Sequence, residues 1–256
     1  MIKRVTHRIK KLSESVALLS AELVLVLLVF LIALIFLIIL IRQVFYHKKD
    51  TLDDMLFSFL AHHVTHAHTV VMQWFTVFGS HFFLIPAWLV LFAFFIFIKK
   101  EKWNFIKAAI IAISNLILLF TLKYLFNRSR PSVPLLKEVP GFSFPSGHAF
   151  MSLTFFGLII YMVYKEVANK WLKWITIIML TLLIFIIGLS RVYLRLHYAS
   201  DVLAGYCFGV LSLISLFWML WQIEKYNAKK IPSRLNISKP EAESSLTKEV
   251  DLSGKL

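Results

Sequence analysis

The chain has 256 residues, of which 59% are hydrophobic, and its mean hydropathy is +0.76. Soluble domains contain roughly half apolar residues, so this composition excludes an ordinary soluble protein and indicates one that lies mostly in lipid. The net charge of +14 would suggest nucleic-acid binding in a soluble chain. In a membrane protein, basic residues instead orient the loops and bind phosphate, so no nucleic-acid partner is predicted.

Six apolar segments are long enough to cross a bilayer, which takes about 20 helical residues. They are 15–41, 82–98, 105–125, 148–164, 174–194 and 199–221. Each must be helical, because backbone polar groups find no other partner in lipid. The predicted fold class is therefore all-α, with a bundle of six transmembrane helices in one domain, 1–230. A Ser-, Lys- and Glu-rich segment, 231–256, is predicted to be a disordered cytoplasmic tail.

The segment 44–80 between the first two spans is too polar to cross the membrane, yet it carries apolar residues at helical spacing. These are Leu52, Met55, Leu56, Phe59 and Leu60. The spacing predicts one or two amphipathic helices lying on the outer surface. A histidine cluster in the same segment could bind a metal, but a helix bordering a lipid entrance is the simpler interpretation. Its members are His62, His63, His66 and His68.

Clusters of basic residues predict the orientation in the membrane. One precedes the first span, one follows the sixth, and two lie in the loops after the second and fourth spans. With six spans these clusters fall on one side, which the positive-inside rule assigns to the cytoplasm. The chain is therefore predicted to be a multi-pass protein of the cell membrane with both termini in the cytoplasm. The two loop clusters are Lys99, Lys100, Lys102 and Lys165, Lys170, Lys173.

The first polar cluster lies at the outer end of the third span and contains Lys123, Arg128 and Arg130. Pro131 disfavours a helical conformation at Arg130, so the helix should end there and release Arg130 into a loop. Basic residues at a membrane interface can simply extend their charges toward water. From this cluster alone, that interpretation and an anion site are equally favoured.

The second polar cluster, Pro145-Ser146-Gly147-His148, comes just before the fourth span. Gly147 would let the backbone approach a ligand closely, and the start of a helix favours an anion. Taken alone, a Ser-Gly turn that caps a helix beside an interfacial histidine is the more economical interpretation.

The third polar cluster joins the fifth and sixth spans and contains Ser190, Arg191, Arg195, His197 and Asp201. If the stretch is helical, His197 and Asp201 are neighbours on one face. A carboxylate can fix the tautomer of an imidazole and stabilise its positive charge, as a base or nucleophile requires. The alternative is an ion pair that neutralises one of the arginines.

The predicted topology brings the three clusters to the same face. They lie after the third span, before the fourth, and between the fifth and sixth, opposite the lysine-rich loops. Ionisable residues at membrane depth are costly and usually functional. One phosphate-binding site therefore explains the three clusters better than three separate coincidences.

Together the clusters resemble the three-part signature of the type 2 phosphatidic acid phosphatase superfamily. The matching motifs are Lys123-x6-Arg130-Pro131, Pro145-Ser146-Gly147-His148 and Ser190-Arg191-x5-His197-x3-Asp201. The resemblance covers about 53–221 and implies a membrane enzyme that removes phosphate from a lipid phosphate. Residues outside the motifs, namely Asn127, Arg128 and Arg195, receive no catalytic role.

The resemblance also implies the roles of the site residues. His197 would attack phosphorus and form a phosphohistidine, Asp201 would orient it, and His148 would protonate the leaving oxygen and then activate water. The other members would bind the phosphate oxygens and stabilise their charge. They are Lys123, Arg130, Ser146, Gly147 and Arg191. The family needs no metal or other cofactor, and apart from Asp201 these clusters offer no carboxylate to Mg²⁺.

Substrate and reaction leave alternatives open. Undecaprenyl pyrophosphate is the first expectation, followed by phosphatidylglycerophosphate, phosphatidic acid and lipid A phosphates, by analogy with the family. A phosphotransferase would pass the phosphate to an alcohol, and an anion transporter would use the basic cluster without chemistry. Vanadate haloperoxidases have a similar site but are soluble. The sequence does not specify the oligomeric state.

Overall fold

All regular secondary structure in the described residues is helical. The computed structural model describes residues 2–47, 51–136 and 140–237. The helices are α1 (Ile2–Ile41), α2 (Thr51–Ala61), α3 (His66–Val77), α4 (His81–Ala93), α5 (Lys102–Phe126), α6 (Gly147–Glu166), α7 (Lys170–Tyr193) and α8 (Ala199–Ile237). One π-helical segment follows α1 (Arg42–Tyr46) and another follows α4 (Phe94–Ile98). The predicted all-α fold class is confirmed.

Six helical stretches in the described part of the chain are long and apolar enough to cross a membrane. They are Ala21–Tyr46, His66–Ile98, Lys102–Phe126, Gly147–Glu166, Lys170–Tyr193 and Ala199–Tyr226. The second begins at His66, well before position 82 where the sequence placed it, because α3 is apolar enough to join α4 in one stretch. A short turn, Phe78–Ser80, still separates the two helices.

The predicted helical segment between the first two spans consists of α2 and α3, which both pack against α7. Asp53 is the buried residue of α2, with an exposed fraction of 2%, while Leu52, Met55 and Phe59 are exposed. Part of the apolar surface of α2 therefore faces outward, as expected of a helix in contact with lipid. Asp53 faces the protein together with Leu56, Phe57 and Leu60, whereas Asp54 is exposed.

Close packing brings the starts of α6 and α8 together. A Cβ added at Gly205 on α8 would lie 2.9 Å from the carbonyl oxygen of Ser146, so only glycine allows this approach. Phe144, at 0% exposure, packs with Ala204 and Cys207 of α8 and with Leu37 of α1. The loop before α6 is thereby fixed to the first turns of α8.

The chain divides into two compact units, Met1–Ile214 and Ser215–Leu256, and the site described below lies in the first. In the second unit α8 continues to Ile237, past position 231 where the tail was predicted to begin. The ammonium group of Lys225 lies 4.9 Å from the centre of the Trp221 ring. The rest of the predicted tail, 238–256, lies outside the described residues, so its disorder stays a prediction.

Candidate active site

Three segments of the first unit form the site: the end of α5 with its following loop, the start of α6, and the turn between α7 and α8. The end of α5 lies earlier than Pro131 suggested. Asn127 makes the last helical hydrogen bond, from its N–H to the Lys123 carbonyl at 3.1 Å. Its left-handed conformation (φ 42°) then ends the helix at Phe126. Arg130 thus lies well inside the loop, as predicted, but for a different reason.

His197 is the most enclosed histidine of the site, with an exposed fraction of 1%. It lies in the turn before α8 and not on the helix, whereas Asp201 occupies the first turn of α8. The two residues are therefore not neighbours on one helix face, as predicted; instead, the turn before α8 places the His197 ring near the Asp201 carboxylate. The two side chains still meet, with 3.6 Å between His197 Nδ1 and Asp201 Oδ2.

The two ring nitrogens of His197 have different surroundings. Nδ1 is 3.3 Å from Ser143 Oγ, and the Ser143 hydroxyl donates a short hydrogen bond to Asp201. Nε2 is 3.3 Å from a terminal nitrogen of Arg130, which can only donate. This arrangement favours the tautomer with its proton on Nδ1, which leaves a lone pair on Nε2 beside Arg130.

The surroundings keep the His197 ring neutral. Burial lowers the pKa of His197, the positive charges of Arg191 and Arg130 lower it as well, and Asp201 opposes them; the resulting pKa is about 4. Burial also lowers the pKa of Arg130, although the guanidinium stays protonated at any pH a protein encounters. At neutral pH the site therefore pairs an uncharged imidazole with a cation.

The cations of the site are held by groups that carry no negative charge. Lys123 Nζ donates to the carbonyl of Phe142 at 2.7 Å. Arg130 donates to two carbonyls, those of Gly141 at 3.0 Å and Leu196 at 2.8 Å. In residues 2–47, 51–136 and 140–237, neither forms an ion pair with a carboxylate. These charges are consequently available to an anion.

Arg191 is the most buried of the site cations, with an exposed fraction of 4%. One terminal nitrogen donates to the hydroxyl of Thr76 on α3 at 2.9 Å, and Nε has no hydrogen-bond partner. A buried charge without a counterion is costly unless a ligand compensates it. Lys123 lies near enough to Arg130 and Arg191 for their charges to interact, so the three cations form one positive cluster.

The start of α6 adds a histidine and a serine hydroxyl that has no hydrogen-bond partner. Ser146 is fully buried; its N–H donates to the Asp201 carbonyl at 2.9 Å, and its Oγ has no partner. A Cβ at Gly147 would lie 3.7 Å from Lys123 Cε, an ordinary contact, so Gly147 faces Lys123 but is not required there by backbone conformation. His148 lies near Arg191 and His197.

His148 occupies space left by a second glycine. A Cβ added at Gly79, in the turn between α3 and α4, would lie 3.1 Å from His148 Cδ2 and 2.6 Å from Ile187 Cγ2. The turn between α3 and α4 thus forms one wall around His148. All eight residues that the sequence predicted for the site lie in this region. They are Lys123, Arg130, Ser146, Gly147, His148, Arg191, His197 and Asp201.

The sequence did not predict two side chains that contact Asp201. Arg128, which received no role, donates to Asp201 Oδ1 at 2.6 Å and to Asp53 Oδ2 at 3.0 Å. Ser143 links His197 to Asp201, as described above. No sequence signal identified Asp53 or Ser143, because neither belongs to the three clusters that interrupt the apolar spans.

The histidine cluster between the first two spans makes backbone contacts. The Nδ1 atoms of His62, His63 and His68 each lie 2.8–3.0 Å from a backbone carbonyl oxygen. Among the described residues no group of three or more potential ligands could hold a metal ion. These three rings therefore contact backbone carbonyls, and their side chains are exposed.

A cavity of about 360 Å³ borders Arg130 on the side of the loop. Arg195 also lines it, together with the hydroxyl-bearing Ser129 and Ser132. Arg195 has a backbone φ of 53°, which is uncommon for a residue other than glycine. The positive charge near the site therefore extends beyond the three cations that the motifs predict.

Comparison with known proteins identifies relatives of the chain. The model of the PAP2 superfamily matches residues 103–225. Phosphatidylglycerophosphatase B of Bacillus subtilis is 32% identical over 143 residues, which are 55% of this chain and 70% of that protein. The bacitracin transport permease protein BcrC of Bacillus licheniformis is 32% identical over 102 residues, 36% of this chain and 45% of BcrC.

The fold is shared with a solved structure. The crystal structure of a transmembrane PAP2-type phosphatidylglycerolphosphate phosphatase from Bacillus subtilis superposes with a TM-score of 0.67 at 24% identity. The match covers 77% of this chain and 96% of that one. Since the chain also covers 70% of a relative to which it is 32% identical, it belongs to the PAP2 superfamily and is a multi-pass membrane lipid phosphatase.

Proposed function

We propose that the chain removes a terminal phosphate from a lipid phosphate or pyrophosphate through a phosphohistidine on His197, at the outer face of the membrane and without a metal. The observation that carries this proposal is the neutral, buried His197, whose Nε2 lies 3.3 Å from Arg130. In the part of the chain that the structure describes, neither Arg130 nor the neighbouring Lys123 and Arg191 pairs with a carboxylate. A phosphate dianion supplies the missing negative charge and brings phosphorus to the free lone pair.

In the first step the Nε2 lone pair attacks phosphorus, and the bond from phosphorus to the lipid oxygen breaks. Lys123, Arg130 and Arg191 stabilise the charge on the three remaining phosphate oxygens. The buried hydroxyl of Ser146 can donate to one of them. The imidazole becomes positively charged when it is phosphorylated, and Asp201 stabilises that charge through Nδ1.

His148 completes the proton transfers. With the phosphate dianion bound, its negative charge supports a proton on His148, which passes to the leaving lipid oxygen. In the second step His148 accepts a proton from water, the water oxygen attacks phosphorus, and the bond to Nε2 breaks. Inorganic phosphate leaves, and His197 returns to its neutral form.

The engagement of the acidic residues supports metal independence. Asp201 accepts hydrogen bonds from Arg128, Ser143 and the N–H of Tyr198. Asp53 is bonded by Arg128 and by Ser200. Mg²⁺ binds through carboxylate oxygens, and both of these carboxylates already have cationic or hydroxyl partners. The fixed cations would stabilise the charge that a metal would otherwise neutralise.

Undecaprenyl pyrophosphate is the proposed substrate. Arg195 lines the cavity next to Arg130, so a second cation is available to a substrate with two linked phosphates. Phosphatidylglycerophosphate is the second candidate, because a phosphatidylglycerophosphatase is among the relatives of this chain. Outward orientation is supported by the lysines after α4 and α6, which lie across the membrane from the site if each span crosses once.

The test is phosphate release by the purified protein from undecaprenyl pyrophosphate, phosphatidylglycerophosphate, phosphatidic acid and a lipid A phosphate. His197→Ala is the inactive control. We expect release with EDTA present, inhibition by vanadate, and an acid-labile phosphoenzyme that His197→Ala lacks. Activity that EDTA abolishes and Mg²⁺ restores would contradict the metal-independent mechanism. Cleavage of phosphatidylglycerophosphate alone would replace the first substrate by the second.

A further inference from the structure

Arg128 forms a bridge between the carboxylate beside His197 and an acidic residue of the outer helix α2. One terminal nitrogen donates to Asp201 Oδ1 at 2.6 Å, and the other donates to Asp53 Oδ2 at 3.0 Å. The guanidinium carbon also lies 4.0 Å from the centre of the Tyr198 ring. Asp53 and Asp201 are both buried. Arg128 is therefore oriented from three sides.

Asp53 is anchored at the start of α8. Its Oδ1 accepts the backbone N–H of Ser200 at 2.8 Å, and its Oδ2 accepts the Ser200 hydroxyl at 2.7 Å. A carboxylate at this position compensates the free N–H groups and the dipole of the helix. The same first turn carries Asp201, so Asp53 fixes both the guanidinium and the helix turn that present Asp201 to His197.

The contact of Arg128 with Asp53 also affects the charge around Asp201. Arg128 alone would largely neutralise Asp201 and weaken its support for a positively charged His197. With Asp53 present, two carboxylates share the Arg128 guanidinium, so Arg128 neutralises Asp201 less completely. Asp201 can then orient His197 and also stabilise the phosphorylated, positively charged ring.

We propose that Asp53 and Arg128 are positioning residues that hold Asp201, and through it His197, in the geometry and charge state needed for attack on phosphorus. The inference rests on the proposed function of His197. It makes the outer helix α2 part of the catalytic unit, although α2 contains none of the three motifs. A displacement of reacting groups by about 1 Å can cost about 100-fold in rate, so contacts of this kind have measurable effects.

The test compares Asp53→Asn, Arg128→Gln and the double variant with the native enzyme. Asp54→Asn is the matched control, because Asp54 is the exposed neighbour of Asp53 on the same helix. The measurements are kcat, KM and the rate of phosphohistidine formation per folded molecule, with folding followed by thermal unfolding. Asparagine keeps the size of Asp53 and one acceptor for Ser200, so this variant is the least disruptive.

We expect Asp53→Asn to lower the rate of phosphohistidine formation by about 10- to 100-fold with KM changed less than about threefold, since the phosphate-binding cations are untouched. Asp54→Asn should behave like the native enzyme. Asparagine retains an acceptor for Ser200, so the effect of Asp53→Asn should come mainly from the lost contact with Arg128. Adding Asp53→Asn to Arg128→Gln should therefore cost at most about another twofold. Full multiplication of the two single effects would overturn the inference.

The pH dependence of kcat distinguishes positioning from a purely structural role. The ionisable groups that face His197 come from four elements. They are Asp201, Arg130, Arg191 and His148. Loss of the Arg128 charge should raise the pKa of His197, and loss of the Asp53 charge should lower it. The acid limb should therefore move to higher pH in Arg128→Gln and to lower pH in Asp53→Asn.

Ionisation of the substrate phosphate is common to all variants and cannot produce opposite shifts. An unchanged acid limb in both variants, or a loss explained entirely by less folded protein, would overturn the inference. The proposed function has its own separate test in the same assay. If His197→Ala retained phosphate release, the role of His197 would be wrong whatever Asp53→Asn did.

Discussion

Cations at the two ends of the helices in the first unit differ in burial and in whether they pair with a carboxylate. In the loop after α4, Lys99 forms an ion pair with Glu166 at the end of α6, and both side chains are more than one-third exposed. The hydrogen bond that Lys99 donates to Glu166 raises the pKa of Lys99. At the opposite ends of the helices, Arg191 is almost fully buried, and no carboxylate in the described residues pairs with it.

The contrast is between an exposed cation that already has a counterion, Lys99, and a buried cation whose charge a bound phosphate could compensate, Arg191. An exposed ion pair in water contributes little and can be lost without consequence. A buried cation bonded only to neutral groups has a desolvation cost that a phosphate can offset. Substitutions in the site should therefore have the largest effects, and substitution of Lys99 in the exposed pair with Glu166 the smallest.

The largest effect is expected from His197→Ala, which removes the proposed nucleophile. We expect phosphate release to fall by at least about 10³-fold, because the remaining cations can bind phosphate but cannot form the covalent intermediate. The measurement is kcat under saturating lipid in detergent micelles. Binding of vanadate by the variant, measured by calorimetry, would show that the cation cluster is intact. Activity within tenfold of the native enzyme would refute the nucleophile assignment.

Arg191→Gln should have the next largest effect. Removing one fixed donor to the transition state costs about 10²–10³-fold in kcat in comparable sites. Arg191→Lys should recover only part of the activity, since lysine cannot donate to Thr76 and to phosphate in the same planar arrangement. Arg42→Gln, at an exposed position after α1, is the control. Equal activity of Arg191→Gln and Arg42→Gln would break the contrast between buried and exposed cations.

Acid should destabilise the native protein through His197. Its pKa of about 4 in the folded state lies below the unfolded value of about 6.5, so the unfolded chain binds a proton first as the pH falls. The free energy of unfolding should decrease by roughly 3 kcal/mol between pH 6.5 and pH 4 from this group. Thermal unfolding across this range is the measurement. His197→Gln should reduce the pH dependence.

Arg195→Gly tests whether the cavity beside Arg130 serves a second phosphate. Glycine suits the positive φ at this position, so the backbone should tolerate the change. We expect kcat/KM for a lipid pyrophosphate to fall about 3- to 10-fold, as for the loss of one hydrogen bond of typical strength. The kcat/KM for a lipid monophosphate should stay within about twofold. Equal losses for both substrates would remove this support for a pyrophosphate.

The smallest effect is expected from Lys99→Gln. Its partner Glu166 is exposed and can be solvated by water, so activity should stay within about twofold of the native value. Phosphate release is the measurement, with Arg191→Gln as the comparison. A large loss in Lys99→Gln would mean that the two ends of the helices are coupled, contrary to the contrast described above.

Features that depend on short stretches of chain were predictable from the sequence. Apolar runs must become helices in lipid, and this predicted the helical fold and the number of candidate spans. The motifs around Lys123, His148 and His197 predicted the members of the site, because each motif lies within a few residues of a helix end. The errors concern local details, such as the end of α5 at Phe126, which the left-handed Asn127 sets.

Tertiary structure decided which groups meet from distant parts of the chain. The contacts of Asp53 with Ser200 and of Ser143 with Asp201 join residues 147 and 58 positions apart. Nothing local distinguishes Asp53 from Asp54, and only the packing of α2 against α7 turns one inward and leaves the other exposed. By itself, the sequence therefore determined the spans, the family signature and the candidate nucleophile. The folded chain decided what holds that nucleophile in place, because this depends on which helix faces are buried against each other.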